Sequence, residues 1–293
     1  MGPDGRALRS GPFVLPRPHR VRLLVALLLF AAAGCTDGAT PRAAQGAAVP
    51  YALGAPDGVA ELPAELDEVS ALTMMPSGRL GAVQDEDGIL YEIDPEAGVI
   101  TGRQPFRGDG DYEGVEWVGE SVWVLKSNGT LYDVHRGADG VSAETATHET
   151  PLRGRNDTEG LAWDGERLLI ACKENPGRGL DDVRAIWAYD PATRELSAAP
   201  VAVLDRARVD GRASFKPSAL AVHPGTGELY VLSSVRKALA VLTPAGELRA
   251  VVPLPGRLYR QPEGIVFAAD GTLYIANEAA GARATLLRFS PQA

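Results

Sequence analysis

Glu159-Gly160-Leu161, followed fourteen residues on by Lys173-Glu174 at the end of the apolar run Leu168-Leu169-Ile170-Ala171-Cys172, is one copy of a unit that recurs through the chain. The other copies begin at Ser70-Ala71-Leu72, Glu113-Gly114-Val115, Ser218-Ala219-Leu220 and Glu263-Gly264-Ile265. Each is followed 13 to 15 residues later by a polar pair: Gln84-Asp85, Lys126-Ser127, Ser233-Ser234 and Asn277-Glu278. A period of about 45 residues made of short β-runs marks a propeller blade, because one four-stranded sheet cannot bury its faces until neighbours stack on it. The expected fold is all-β, a single β-propeller.

Within a unit the apolar/polar alternation predicts four strands, as in Glu113 to Val118, Ser121 to Lys126, Thr130 to His135 and Ala143 to Pro151. Tight turns such as Asp164-Gly165 and Asp270-Gly271 separate the first strand from the second. The last copy runs out of chain after its third strand, at Ser290-Pro291, while Gly58 to Pro63 reads like the fourth strand Arg249 to Leu254. The N-terminal strand is therefore expected to complete the last blade and close a ring of five. A sixth blade would need a further unit in the long interval from 160 to 218.

The first 34 residues read differently. Arg17, Arg20 and Arg22 precede the apolar run Leu23 to Ala33, which ends in Ala32-Ala33-Gly34-Cys35. A basic stretch, a short apolar stretch and small residues at a cleavage point make a signal peptide. The apolar run is too short to span a bilayer. Cys35 directly after Ala-Ala-Gly resembles a bacterial lipobox, which implies cleavage before Cys35 and lipidation of its thiol; an ordinary secretory signal is the alternative. Residues 35–57 are then expected to be a small-residue tether and 58–293 the propeller. Removing residues 1–34 takes out five Arg and one Asp, so the net charge goes from −9 to about −13. A body that acidic is a poor partner for nucleic acid.

In a propeller the first strand of each blade lines the central channel, so Ser70, Glu113, Glu159, Ser218 and Glu263 are expected at one channel mouth with the polar pairs. Converging carboxylates must raise one another's proton affinity, pair with Lys126 and Lys173, or bind a cation. A hard ion such as Ca²⁺ would suit Glu113, Glu159, Glu263 and Asn277. Glu113, Glu159, Glu263, Lys126, Lys173, Glu174, Ser70 and Ser218 form the candidate ligand-binding set. Two insertions, 175–184 and 205–216, add Arg178, Arg184, Arg206, Arg208, Arg212 and Lys216 near the rim, where they either wall an anion site or pair with local acids. Gly-x-Ser-x-Gly, His-Glu-x-x-His, Cys-x-x-Cys and Gly-Lys-Ser patterns are absent from the sequence. His135, His148 and His223 fall at positions expected to face away from the mouth, and Cys172 reads as a buried structural thiol.

Asp157-Thr158-Glu159-Gly160-Leu161-Ala162-Trp163 with Lys173-Glu174-Asn175-Pro176, Pro217-Ser218-Ala219-Leu220 with Tyr230 to Ser234, and Gln261-Pro262-Glu263-Gly264-Ile265 with Leu273 to Glu278 carry a resemblance. Over roughly residues 58 to 291 the chain resembles the SdiA-regulated β-propeller family of bacterial envelope proteins. That resemblance implies a propeller in the cell envelope, with Thr36 after the lipidated Cys35 similar to an outer-membrane address. It implies no specific activity. The expected function is a lipid-anchored, non-catalytic propeller binding a small molecule or protein at its channel mouth. The alternative is a hydrolase resembling the calcium-dependent lactonase and phosphotriesterase propellers, in which the ion polarises a carbonyl or phosphoryl oxygen.

Overall fold

The computed structural model describes residues 49–136, 143–210 and 215–292. The expected signal peptide, Cys35 and most of the expected tether lie outside them.

Five antiparallel sheets follow one another along the chain. Blade 1 is completed before blade 2 begins, so β1 (Gly58–Glu61) stands apart ahead of both. Blade 1 comprises β2 (Val69–Met74), β3 (Leu80–Gln84), β4 (Ile89–Ile93) and β5 (Ile100–Pro105). Blade 2 comprises β6 (Tyr112–Val118), β7 (Ser121–Lys126), β8 (Leu131–Arg136) and β9 (Ala143–His148). Blade 3 is built on β10 (Thr158–Trp163), β11 (Leu168–Cys172) and β12 (Val183–Asp190). Two short strands, β13 (Glu195–Leu196) and β14 (Ala202–Asp205), share the outer edge of β12. Pro200 lies between them, where its missing N–H would break a continuous ladder. A short helix, α1 (Arg206–Asp210), follows. Blade 4 comprises β15 (Ala219–Val222), β16 (Leu229–Ser233), β17 (Ala238–Leu242) and β18 (Leu248–Pro253). Blade 5 is β19 (Pro262–Phe267), β20 (Leu273–Asn277) and β21 (Thr285–Phe289), with β1 as its outer strand, Gly58 opposite Arg288 and Glu61 opposite Thr285. Five blades closed by the N-terminal strand is what the repeat predicts. Among the described residues the interval from 160 to 218 holds no sixth unit; it contains the rest of blade 3 with the first insertion, the split outer strand and α1.

Burial follows position in the blade. The second strands β3, β11, β16 and β20 are buried at every residue, while β5 alternates between half-buried and exposed. The core is accordingly a set of five apolar clusters, each between adjacent blades. The innermost strands pack in the closed order β2, β6, β10, β15, β19.

At that ring the second residue of each repeat meets the third residue of the next blade. A Cβ on Gly114 would stand 2.6 Å from Leu161 Cβ, one on Gly160 2.9 Å from Leu220 Cβ, and one on Gly264 2.8 Å from Leu72 Cγ. Where the repeat has Ala instead, the neighbouring blade presents a β-branched residue: Ala71 shares a cluster with Val115, and Ala219 with Ile265. Gly faces Leu and Ala faces Val or Ile, which keeps the ring's volume even.

The folded body starts earlier than the expected boundary at 58. Val49, Tyr51 and Leu53 are buried in the cluster between blades 4 and 5. The Tyr51 hydroxyl donates to Gly271 O (2.8 Å), Tyr259 donates to Leu53 O (2.9 Å) and Gln292 N donates to Pro50 O (2.8 Å). His223 Nδ1 accepts from Gly225 N and Thr226 N, which leaves its Nε2–H to meet Tyr51 Oη at 3.1 Å. Residues 49–57 are thus part of the folded body, because three apolar side chains pack on the face away from the channel mouth.

Candidate functional site

The repeated position is an irregularity in the innermost hairpin. Register shifts between Val69 and Ala71, Tyr112 and Gly114, Thr158 and Gly160, and Pro262 and Gly264 leave Ser70, Glu113, Glu159 and Glu263 as extra residues. Ser218 holds the equivalent place just before β15. A bulge re-aims its extra side chain out of the strand's alternation. Here it gathers carboxyls from three blades at one mouth.

Glu159 and Glu263 are 4% and 6% exposed. Lys173, from the end of β11, is ion-paired with Glu159. Burial pushes the Glu113 carboxyl far above its ordinary range, and the neighbouring Glu159 and Asp111 push it further. Burial also raises Glu159, against the pull of Lys173. Burial would lower Lys173, but Glu159, Glu263 and Asp157 outweigh it and hold the ammonium charged. Carboxyls this close titrate as a unit. Burial and the neighbouring carboxyls thus favour a proton on Glu113, which hydrogen-bonds to the Asp111 side chain, and Asp111 accepts from Ser127 Oγ. Burial and then Glu278 push Glu263 up to about 7, opposed by the Ser234 hydroxyl and the Lys173 ammonium. Burial, then Glu68 and Asp85, push Glu278 up to about 8, and the Gln261 amide donates to it.

Below the carboxyls the channel closes. The void beneath Glu113 and Glu159 is about 10 Å³ and is walled by Leu72, Leu161, Leu220 and Ile265, room for about one water. The mouth is blind.

The other expected residues divide. Ser70 Oγ donates to Tyr112 O (2.6 Å) and Ser218 Oγ to Pro262 O (2.8 Å), so both hydroxyls tie their blade to the next. Lys126 Nζ lies over the Tyr112 ring, 5.8 Å from its centroid. Glu174 turns from the channel to pair with Lys216. Asn277 does not join the carboxyls: its amide donates to Leu258 O (3.3 Å) and Thr285 Oγ1 (3.1 Å), and its Oδ1 is buried without a partner. Among the described residues no group of three or more His, Cys, Asp or Glu side chains is placed to hold a metal ion. Asn277 thus stands apart from Glu113, Glu159 and Glu263, and Lys173 supplies a cation beside Glu159. His148 packs on Trp123 (4.9 Å between centroids) and Tyr189, and His223 lies at the opposite face. Cys172 is buried and unpaired, its thiol pushed up to about 12 by burial.

Four polar side chains along the channel escape the sequence reading. Asp111, Asp157 and Gln261 all stand two residues before a repeated Glu, as Glu68 and Lys216 stand before Ser70 and Ser218. Their carbonyls accept from the polar pairs, Ser127 N to Asp111 O (2.9 Å), Lys173 N to Asp157 O (2.7 Å) and Glu278 N to Gln261 O (2.9 Å). That second polar register was visible as a repeat and would have found the rim. Glu116 had no such signal: it accepts from Thr73 Oγ1 of blade 1 (3.0 Å) and its carboxyl is pushed up to about 7 by burial. From the insertions, Arg184, Arg206 and Lys216 come together with Arg155 around a cleft beside blade 3.

The SdiA-regulated family model matches residues 59–280. The chain belongs to the SdiA-regulated family. No curated protein matches it. The chain is similar to the crystal structure of Myxococcus xanthus glutaminyl cyclase at 14% identity and a TM-score of 0.57, over 80% of this chain and 95% of that one. It is also similar to the PQQ-bound aldose sugar dehydrogenase from Streptomyces coelicolor, at 14% identity and a TM-score of 0.50, over 80% and 99% of the two chains. At that identity the likeness is one of fold.

Proposed function

We propose that this SdiA-regulated propeller is an envelope lipoprotein, lipidated on Cys35, that binds the cationic group of a ligand or partner at its channel mouth without catalysing a reaction. The observation that carries this is the bulge-presented cluster of Glu113, Glu159 and Glu263, to which the protein gives one paired ammonium, Lys173. A second ammonium entering the mouth finds preorganised carboxyls in a low-dielectric site and replaces the proton on Glu113. The blind channel keeps the ligand at the rim.

Against a serine or cysteine nucleophile at the mouth, the Ser70 hydroxyl donates to Tyr112 O, the Ser218 hydroxyl donates to Pro262 O, and Cys172 is buried. The calcium-dependent hydrolase alternative has less support, because Lys173 already pairs with Glu159 and the Asn277 amide turns to Thr285.

Calorimetric titration of the full-length chain with cadaverine tests the binding. Saturable binding that weakens at least tenfold in Glu159→Gln and Glu263→Gln supports it; no binding, or equal binding by the variants, sinks it. Incorporation of labelled palmitate, lost in Cys35→Ala, tests the anchor.

A further inference from the structure

Beside blade 3 four separate segments converge on a cleft of about 510 Å³. Arg155 comes from the turn before β10, Arg184 from β12, Arg206 from the start of α1 and Lys216 from the approach to Ser218. Glu174 and Asp181 also line it. Four cations thus face two carboxylates, in a chain whose net charge is −9.

Arg184 is the distinctive member. It is 4% exposed, its Nη1 reaches only the long contacts to Glu174 O (3.3 Å) and Val183 O (3.4 Å), and its Nε is buried without a partner. The nearby carboxylate of Glu174 is taken by Lys216. Burial, and then the guanidinium of Arg206 beside it, lowers the proton affinity of Arg184. A buried guanidinium next to a like charge, with an N–H unmatched, is costly unless an anion joins it. Nothing in its role as a β12 residue requires that cost.

We propose that this cleft binds a phosphate monoester, with Arg184 at its floor and Arg155, Arg206 and Lys216 around the phosphate. The guanidinium fork of the buried Arg184 matches phosphate oxygens. The volume lies within the range of small-molecule sites, which leaves room for the organic part of the ester. The site shares no residue with the carboxyl cluster, so it stands whether or not the mouth takes an amine.

The test is calorimetry of the full-length chain with inorganic phosphate and then glycerol 3-phosphate, alongside Arg184→Gln and the exposed Arg155→Gln. Cosedimentation with phosphatidic acid vesicles is compared with phosphatidylcholine vesicles. Saturable phosphate binding, weakened tenfold or more in Arg155→Gln at unchanged Tm, is expected. Tighter binding of glycerol 3-phosphate assigns a soluble ester, and phosphate-competed capture on phosphatidic acid vesicles assigns a lipid headgroup; both uphold the site. Failure of all three probes to bind, or equal binding by Arg155→Gln and Arg184→Gln, would overturn it.

Discussion

Replacing Lys173 with Met removes the cation that neutralises Glu159 while keeping most of the side chain's apolar bulk. Removing one partner of a fully buried ion pair costs about 3–5 kcal/mol. Here Glu159 is 4% exposed but the Lys173 side chain is 26% exposed, and Glu159 can take up a proton once its partner is gone. Both features reduce the cost to roughly 2–3 kcal/mol at pH 8. For a folded body of this size that is a fall in Tm of about 5–10 °C. At pH 5 the carboxyl freed from Lys173 is protonated and costs little to bury, so the fall shrinks to a few degrees. Thermal unfolding followed by circular dichroism at the two pH values measures both numbers. The double variant Lys173→Met/Glu159→Gln recovers most of the loss at pH 8, because no uncompensated charge remains. A fall of under a degree at both pH values, or a double variant no more stable than the single, would refute the electrostatic account of the mouth.

Gly160→Ala is expected to cost about 1–3 kcal/mol, or roughly 3–10 °C in Tm, because the new Cβ would stand 2.9 Å from Leu220 Cβ and 3.0 Å from Leu220 N, and main chain cannot yield as a side chain can. Differential scanning calorimetry checks it, and an unchanged Tm contradicts the Gly-against-Leu packing. The pH profile of stability follows from Glu263, whose folded carboxyl is raised from 4.5 to about 7. The native state holds a proton that the unfolded chain releases, so this contribution, about 3 kcal/mol, is fully present below pH 4.5 and lost as pH rises through 7. Urea midpoints should fall from pH 5 to pH 8, and fall less in Glu263→Gln. Calcium at millimolar concentration is expected to leave Tm unchanged, because Lys173 already pairs with Glu159 and the Asn277 amide turns to Thr285; a saturable rise would support a metal site at the mouth.

Much of the architecture was legible because the blade repeat is a local signal. The spacing of Glu-Gly-Leu from Lys-Glu located the innermost hairpin, and the missing fourth strand after Ser290 called for β1. The start of the body was not legible, since Val49, Tyr51 and Leu53 lie among small residues and show their packing only against blades 4 and 5. At the site, the repeat identified Glu113, Glu159 and Glu263, but it treated every polar residue at the mouth as equally available. Hydrogen bonds then decided which were: Ser70 and Ser218 donate to the neighbouring blade, and Asn277 turns to Thr285. The insertions pointed to Arg184, Arg206 and Lys216 near the rim, but pairing across 42 residues, as between Lys216 and Glu174, has no local pattern, so which cations share the cleft, and that Arg155 joins them, emerged only with the fold.

The most direct test of the mouth as a cation site is to titrate cadaverine at pH 7 in two buffers of different ionisation enthalpy. If an ammonium displaces the proton on Glu113, the apparent enthalpies differ by the release of up to about one proton per bound amine, and the difference vanishes in Glu113→Gln. Binding with no proton release, or no binding at all, would contradict a protonated Glu113 at the centre of the site.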